Sequence, residues 1–312
     1  HEMLRSKGVA SRVFDQYHSY DRKEDVYPTG MRATWWLSYF FKKKPDIVHF
    51  HIFSYLQYLY IFLLSYFSSS KIIVSIHNEK ILLAPFLLRF LIVTLIRRSR
   101  VEKIIVVSET VSEKFKLWGV KHVHWIPAYI PPKGIISKNL QGSGIFKVIY
   151  NASTLKNKEA RDTYSVDIMI DLAKMNPKID FHFFIGEEES DALKNISAEI
   201  DCFQNTYIYF NEDMIDYMPD ADVFIRPNRV DAFGISVQES LDLGVPAIAS
   251  DVCTRSKGAI IFPSGDLGKL NVILHSTLNQ DRSQSLEGYQ PTTYADEMIE
   301  MYISLGVKVN EC

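Results

Sequence analysis

The sequence predicts an α/β protein with parallel sheets in two domains, and three observations carry that reading. Short apolar runs rich in β-branched residues alternate with longer segments whose apolar residues recur at helical spacing, the pattern of repeated βα units. Residues 223–249 show one unit in full: 223–225 is a short strand, 226–234 a polar loop closed by Gly234, 235–243 a helix stopped by Gly244, and 245–249 a second strand. The chain of 312 residues is long for a single core, and Pro131, Pro132, Gly134, Gly142 and Gly144 punctuate 129–145 as a linker. In a parallel sheet ligands gather outside the carboxyl ends of the strands. The N–H groups of Ile235, Ser236 and Val237, at the start of the helix after the loop, would suit a phosphate.

Taken in order, 1–8 reads as a helix end stopped by Gly8, and 11–15 as a strand. Residues 31–41 are aromatic and helical, ended by Lys42, Lys43, Lys44 and Pro45. In the strand 46–51, His49 and His51 lie two apart and point to one face. That spacing suits a metal pair, but no Cys or acidic partner lies nearby at ligand spacing, so packing or lining of a cleft is the expected role. The stretches 52–67 and 81–96 are the most apolar and helical; each is shorter than the roughly twenty residues of a bilayer span, and Arg89 interrupts the second. Strands follow at 71–76, which leads into His77, at 103–108 and at 122–127, with a helix at 111–118 stopped by Gly119.

After the linker, 146–150 is a strand, 151–164 a polar loop, 165–175 a helix, 179–185 a strand ended by Gly186, 192–200 a helix and 206–210 a strand. Asp220 and Asp222 form an Asp-x-Asp, read as turn chemistry after Pro219 rather than as a metal site. Beyond the βαβ unit come a loop 251–258 with Cys253 and Arg255, a strand 259–262, a helix from Leu267, and a final helix at 294–305.

Composition narrows the class. Apolar residues at 47% and charged residues at 23% mark a folded globular chain, and a net charge of −2 gives no general attraction to nucleic acid. Cys202, Cys253 and Cys312 are odd in number and far apart, which suits a reducing compartment. Asn151 and Asn195 each begin an Asn-x-Ser triplet, a pattern expected by chance. No signal peptide is visible, so a cytoplasmic location is expected. Lys42 to Lys44, and Arg97, Arg98 and Arg100, follow apolar or aromatic segments, a combination that can hold a protein on the anionic inner face of a membrane. Ordinary charge at helix C-termini is the alternative.

Two acids, Asp231 and Glu239, bracket the loop and helix of the central unit. The order Arg226-Pro227, Asp231-x-Phe233-Gly234, Glu239-Ser240, Leu243-Gly244-Val245-Pro246 and Ala249-Ser250-Asp251 resembles the paired-acid signature of retaining glycosyltransferases of the two-domain GT-B fold, the large family 4. The resemblance implies two Rossmann-like domains facing across a cleft: an acceptor domain at 1–141, a donor domain at 142–283, and a last helix within 284–312 crossing back to the first. It implies transfer of a sugar from a nucleotide-sugar to a glycan or lipid-linked acceptor with retention, without metal or cofactor, in surface polysaccharide or glycoconjugate synthesis. By the same resemblance Glu239 would bond the ribose, Asp231 or the adjacent backbone the sugar hydroxyls, and Arg226 with the Gly234, Ile235 and Ser236 amides the phosphates. Phe233 joins this donor-binding set. His77 would stand near the anomeric centre, and His51 would line the cleft.

The chain departs from the family in two places. Asn151-Ala152 stands where Gly-Arg is common, and Tyr164 where a lysine usually falls, so Lys156, Lys158, Arg161, Arg226 and Arg229 are the candidates for the diphosphate. The family's first strand and glycine-rich loop have no counterpart, so the sequence is expected to begin inside the natural protein or to fill the gap with another segment. Two other readings stand beside transfer: a nucleotide-sugar epimerase using His77 and Asp231 as acid and base, and a catalytically silent subunit of a glycan assembly complex.

Overall fold

A computed structural model describes residues 13–15, 26–28, 44–77, 79–127, 129, 131–132, 135–142, 145–289 and 291–307. The helical segments expected within 1–8 and 31–41, with Lys42 and Lys43, lie outside these. The chain divides into two compact units: Tyr129–Thr292 is one, and the residues before it, with those from Thr293 onward, are the other.

In the first unit β1 (Val13–Asp15) pairs in parallel with β2 (Val26–Pro28). A separate four-stranded parallel sheet runs in the order β3 (Ile47–Ile52), β4 (Lys71–Ile76), β5 (Val101–Val106), β6 (Val123–Trp125). Helices α1 (Tyr55–Leu64), α2 (Lys80–Leu83), α3 (Phe86–Arg98) and α4 (Glu109–Leu117) fill the connections. Strand β4 shows the two-residue period of a sheet covered on both sides. Ile72, Val74 and Ile76 enter the core with Phe62, Ile92, Ile96 and Phe115. Ile73 points the other way, with Ile105, Ile126, Met301 and Leu305, under the closing helix α11 (Tyr294–Ser304).

Three expectations here need correction. Ile52 completes β3, paired with Ile76, instead of opening a helix. The stretch 81–96 is broken by Pro85, which lacks an N–H and holds its own φ at −51°, so α2 ends before it and α3 starts after it. Arg89 interrupts the apolar run and lies within α3. Its guanidinium donates to the Leu82 carbonyl at 3.1 Å and lies 5.5 Å from the Trp118 ring. Helix α4 also starts earlier than its apolar pattern, because Ser108 caps it by accepting from the Val111 N–H.

In the second unit a six-stranded parallel sheet has the order β12 (Ile260–Phe262), β11 (Ala247–Ser250), β10 (Val223–Arg226), β7 (Phe146–Ala152), β8 (Ile179–Ile185), β9 (Thr206–Phe210). The helices are α5 (Lys158–Tyr164), α6 (Val166–Met175), α7 (Lys194–Ile200), α8 (Ile235–Asp242), α9 (Leu267–Leu278) and α10 (Arg282–Ser285). The chain builds outward from β7 to β8 and β9, then returns to the other side of β7 with β10 and continues to β11 and β12. The order therefore reverses between β7 and β10, where a doubly wound sheet opens a crevice at the carboxyl ends of its strands.

The expected polar loop 151–164 contains helix α5. Asn157 caps it, accepting from the Ala160 N–H at 2.8 Å, and Ser165 in the left-handed conformation (φ 53°) turns it sharply into α6. Residues 138–141 of the stretch read as a linker are bonded to this unit. Leu140 is buried; its N–H donates to Asp220 at 2.8 Å, where Lys147 also pairs at 2.8 Å, and the Gln141 N–H donates to the Tyr209 hydroxyl at 3.2 Å. Asp220 is thus an anchor for Leu140 and Lys147 besides closing a turn. Gly142 (φ 100°) allows the passage, since a Cβ there would collide with the Asp180 carboxylate. At the C-terminal end of α8, Asp242 accepts from Tyr129 and Tyr289, near the two ends of the unit, and from Gln238 at 3.1 Å.

One buried group here predicts a pH response. His182 on β8 is fully buried, its ring 5.1 Å from and nearly parallel to Tyr207, with Nδ1 3.3 Å from the Tyr209 hydroxyl and Nε2 without a partner. Burial, with the nearby Lys147 charge, pushes its pKa down to about 3. The unfolded chain then binds the extra proton between that value and the ordinary 6.5, so stability falls as pH drops through this window. Denaturant titration at neutral pH and at about pH 5 should show His182→Phe gaining about 2 kcal/mol relative to wild type at the lower pH, at about 1.4 kcal/mol per pH unit. A difference between the two proteins that does not change with pH would contradict this.

Candidate functional site

Strands β7 and β10 lie side by side, Val148 opposite Val223 and Tyr150 opposite Ile225, so their carboxyl ends bring Asn151 and Arg226 together. Arg226 is the hub. Nε and Nη2 donate to the two oxygens of Asp231 at 2.5 and 3.1 Å, and Nη1 donates to the Ser236 hydroxyl at 2.9 Å and to Asn151 Oδ1 at 3.2 Å. A second arginine arrives from the loop after β11: Arg255 Nη1 donates to Asp231 Oδ2 at 2.6 Å. Its other nitrogens are held by Ser250, at 2.9 Å to the carbonyl and 3.0 Å to the hydroxyl. Ser250 in turn donates to the Asn228 carbonyl at 2.6 Å.

Burial alone would raise the Asp231 pKa, but the Arg226 and Arg255 guanidinium groups outweigh it and hold the carboxyl below its ordinary value. Around Asp231 itself two guanidinium groups face one carboxylate, a local excess of positive charge that suits an anion. Gly234 makes the close approach possible. Its φ is 79°, and a Cβ there would collide with the Arg255 guanidinium. Phe233 is buried and offers its carbonyl to Arg255 at 3.4 Å.

Glu239, in the second turn of α8, behaves oppositely to Asp231. Among the described residues its carboxylate has no hydrogen-bond or ion-pair partner. Burial first, then the Asp213 charge, raises its pKa, with Arg226 working against them. An unpartnered, partly buried carboxylate is an acceptor left open. At the start of α8 the Val237 N–H is already bonded to the Gly234 carbonyl at 2.9 Å, so the expected trio of amides reduces to Ile235 and Ser236.

The remaining cations are placed elsewhere. Lys156 pairs with Glu187 at 2.5 Å, and Arg161, on α5 rather than in a loop, donates to the Leu155 carbonyl at 2.8 Å. Arg229 pairs with Asp167 at 2.7 Å, and Lys158 is exposed at the start of α5. The structure thus joins Arg226, Asp231, Gly234, Ile235, Ser236 and Glu239 in one site and gives Lys156, Arg161 and Arg229 other partners. Sequence reasoning missed Asn151 and Arg255 as members. Their signal was positional: Asn151 lies at the carboxyl end of β7 and Arg255 in the loop after β11, the two strands that neighbour β10 in the parallel sheet.

In the first unit His77 follows β4. Its ring lies 4.8 Å from Phe53 and 4.9 Å from His51, and its Nε2 is 2.6 Å from His51 Nδ1. His49 bonds the Tyr302 hydroxyl at 2.5 Å and Ser75 Oγ at 2.7 Å. Burial lowers the pKa of all three, that of His51 to about 4, so these imidazoles are neutral at pH 7. Among the described residues no group of three or more His, Cys, Asp or Glu is placed to hold a metal ion, and no helix is long and apolar enough to cross a membrane.

The two acids should separate in a stability measurement. Asp231→Asn leaves two buried guanidinium groups short of charge and should cost about 3–5 kcal/mol in chemical unfolding. Glu239→Gln removes only an unpaired carboxylate, and should leave stability within about 0.5 kcal/mol of wild type or raise it. Equal losses in both would refute the contrast drawn between them.

Residues 151–259, about a third of the chain, match a family model described as Glycosyl transferases group 1. No curated protein matches the chain. Among solved structures, sucrose-phosphate synthase from Thermosynechococcus elongatus superposes with a TM-score of 0.64 at 15% identity, over 86% of this chain and 76% of that one. HepE from Anabaena, in complex with UDP and glucose, gives 0.60 at 13% identity, over 83% and 78%. The lipopolysaccharide outer core galactosyltransferase WaaB in its apo form gives 0.58 at 14% identity, over 86% and 78%. With two parallel-sheet units and these likenesses, the chain has the α/β GT-B fold of glycosyltransferases.

Proposed function

We propose that the chain transfers a sugar from a nucleotide-sugar donor to a glycan or lipid-linked acceptor. The observation that carries this is the open Glu239 carboxylate beside a positive cluster at the strand-order reversal: an acceptor for ribose hydroxyls next to donors for a diphosphate. The family match over 151–259 and the UDP and UDP-glucose bound in HepE support a nucleotide donor. In this reading Arg226 and the Ile235 and Ser236 amides meet the phosphates, and Glu239 the ribose. With Asp231 saturated by arginines, the sugar hydroxyls fall to its adjacent backbone, and His77 meets the sugar. Retention, without metal, is part of the proposal: the anomeric carbon–phosphate oxygen bond breaks, the acceptor oxygen bonds the same face, and the leaving phosphate takes its proton.

The epimerase reading loses support from Asp231, which is ionised and fully engaged and so poorly suited to proton transfer. Attachment to an anionic membrane belongs to the proposal. Leu83, at the end of α2, is 83% exposed, and Phe86, Leu87 and Phe90 on α3 are 70%, 78% and 64% exposed, on a face of α3 that continues to the exposed Arg97 and Arg98.

Calorimetry with a panel of nucleoside diphosphates, UDP first, should find one binder, weakened roughly 10- to 100-fold in Glu239→Gln as a charged hydrogen bond is lost. Equal or absent binding in both proteins would leave the fold without this activity and favour the silent subunit. In flotation, the chain should rise with vesicles containing phosphatidylserine and not with purely zwitterionic ones, and a Phe86→Ser/Phe90→Ser variant should stay behind. No flotation of wild type would remove the membrane from the proposal.

A further inference from the structure

His49, His51 and His77 form a row in the first unit. In the parallel register of β3 and β4, His51 stands opposite Ser75, and the next step on that face sets Phe53 beside His77. His49, bonded through both ring nitrogens, lies against His51 with ring centroids 4.6 Å apart. His51 then reaches His77 through a single nitrogen pair, Nδ1 to Nε2 at 2.6 Å, with the rings 23° from parallel. The row runs from a ring fixed on both sides to a ring whose Nδ1 has no partner among the described residues.

We propose that His51 is a positioning residue for His77, holding its ring in one orientation and one tautomer so that Nδ1 presents a single hydrogen-bonding character to a sugar hydroxyl. The proton count makes the coupling strict. Two neutral imidazoles share two protons among four nitrogens, and one proton lies in the His51–His77 bond. When it belongs to His77 Nε2, His77 Nδ1 is a bare acceptor and His51 Nε2 carries the other proton. When it belongs to His51 Nδ1, His77 Nδ1 carries the proton and is a donor. The tautomer of His51 thus fixes what His77 offers, much as the outer hydrogen bond of a metal-bound histidine sets its tautomer. The sugar as the group met by Nδ1 rests on the proposed function; the coupling of the two rings does not.

The test is the long-range proton–nitrogen spectrum of the full chain labelled with ¹⁵N-histidine, at a pH where both rings are neutral. Wild type should show His77 with one protonated and one bare nitrogen at well-separated shifts. In His51→Phe, which keeps a ring for stacking and removes both nitrogens, the two His77 shifts should move toward each other as tautomers average. His51→Gln restores a hydrogen-bonding group and should return them toward wild type, and it also serves if the phenylalanine variant folds poorly. Unchanged His77 shifts in folded His51→Phe would overturn the proposal. In a transfer assay the same variant should lose roughly 10- to 100-fold in kcat with donor KM little changed. If wild type transfers no sugar while the spectra change as expected, the function fails and the positioning role stands.

Discussion

The ionised Asp231 carboxylate, held between Arg226 and Arg255, is the constraint on which the second unit's candidate site depends. Buried guanidinium groups require a counter-charge, and one carboxylate here serves two of them, drawn from β10 and from the loop after β11. The pair of ion contacts ties two successive strand-end loops together and places the backbone of residue 234 so close that only glycine fits. That glycine sets the direction of α8, and α8 carries Ser236 against Arg226 and holds Glu239 one turn further on. A single charge arrangement thus decides the field, the available amides and the position of the open acid.

The two acids that look alike in the sequence consequently do different physical work. Asp231 gains from its arginines more than burial costs it, and belongs to the framework. Glu239 bears the cost of burial without a partner, the usual state of a group awaiting a ligand. The imidazoles of the first unit follow a similar division. His49 is bonded on both sides, and His77 ends the row with one nitrogen unspent. In both units a group with all its partners lies beside one with a valence left open.

What was legible followed from local chemistry. Strand and helix periods, Gly244 as a stop and the βαβ unit around Asp231 and Glu239 depend on residues close in sequence, and each lies where its pattern indicated. Errors arose where a local signal was weak or overridden. Helix α5 is short, polar and started by an asparagine cap, so it resembled a loop. The punctuated stretch near residue 140 carries linker residues, yet Asp220 and the Tyr209 hydroxyl bind its backbone from elements about seventy to eighty residues further on.

The sequence by itself determined the fold class and the identity of the central acids, because periodicity and motif spacing are written in neighbouring residues. Only the tertiary structure decided which acid is bound and which is open, which cations are already paired, and that Asn151 and Arg255 belong to the site. Those outcomes depend on ångström distances between the ends of different strands and the loops that follow them, and such distances exist only once the parallel sheet has set the strands side by side.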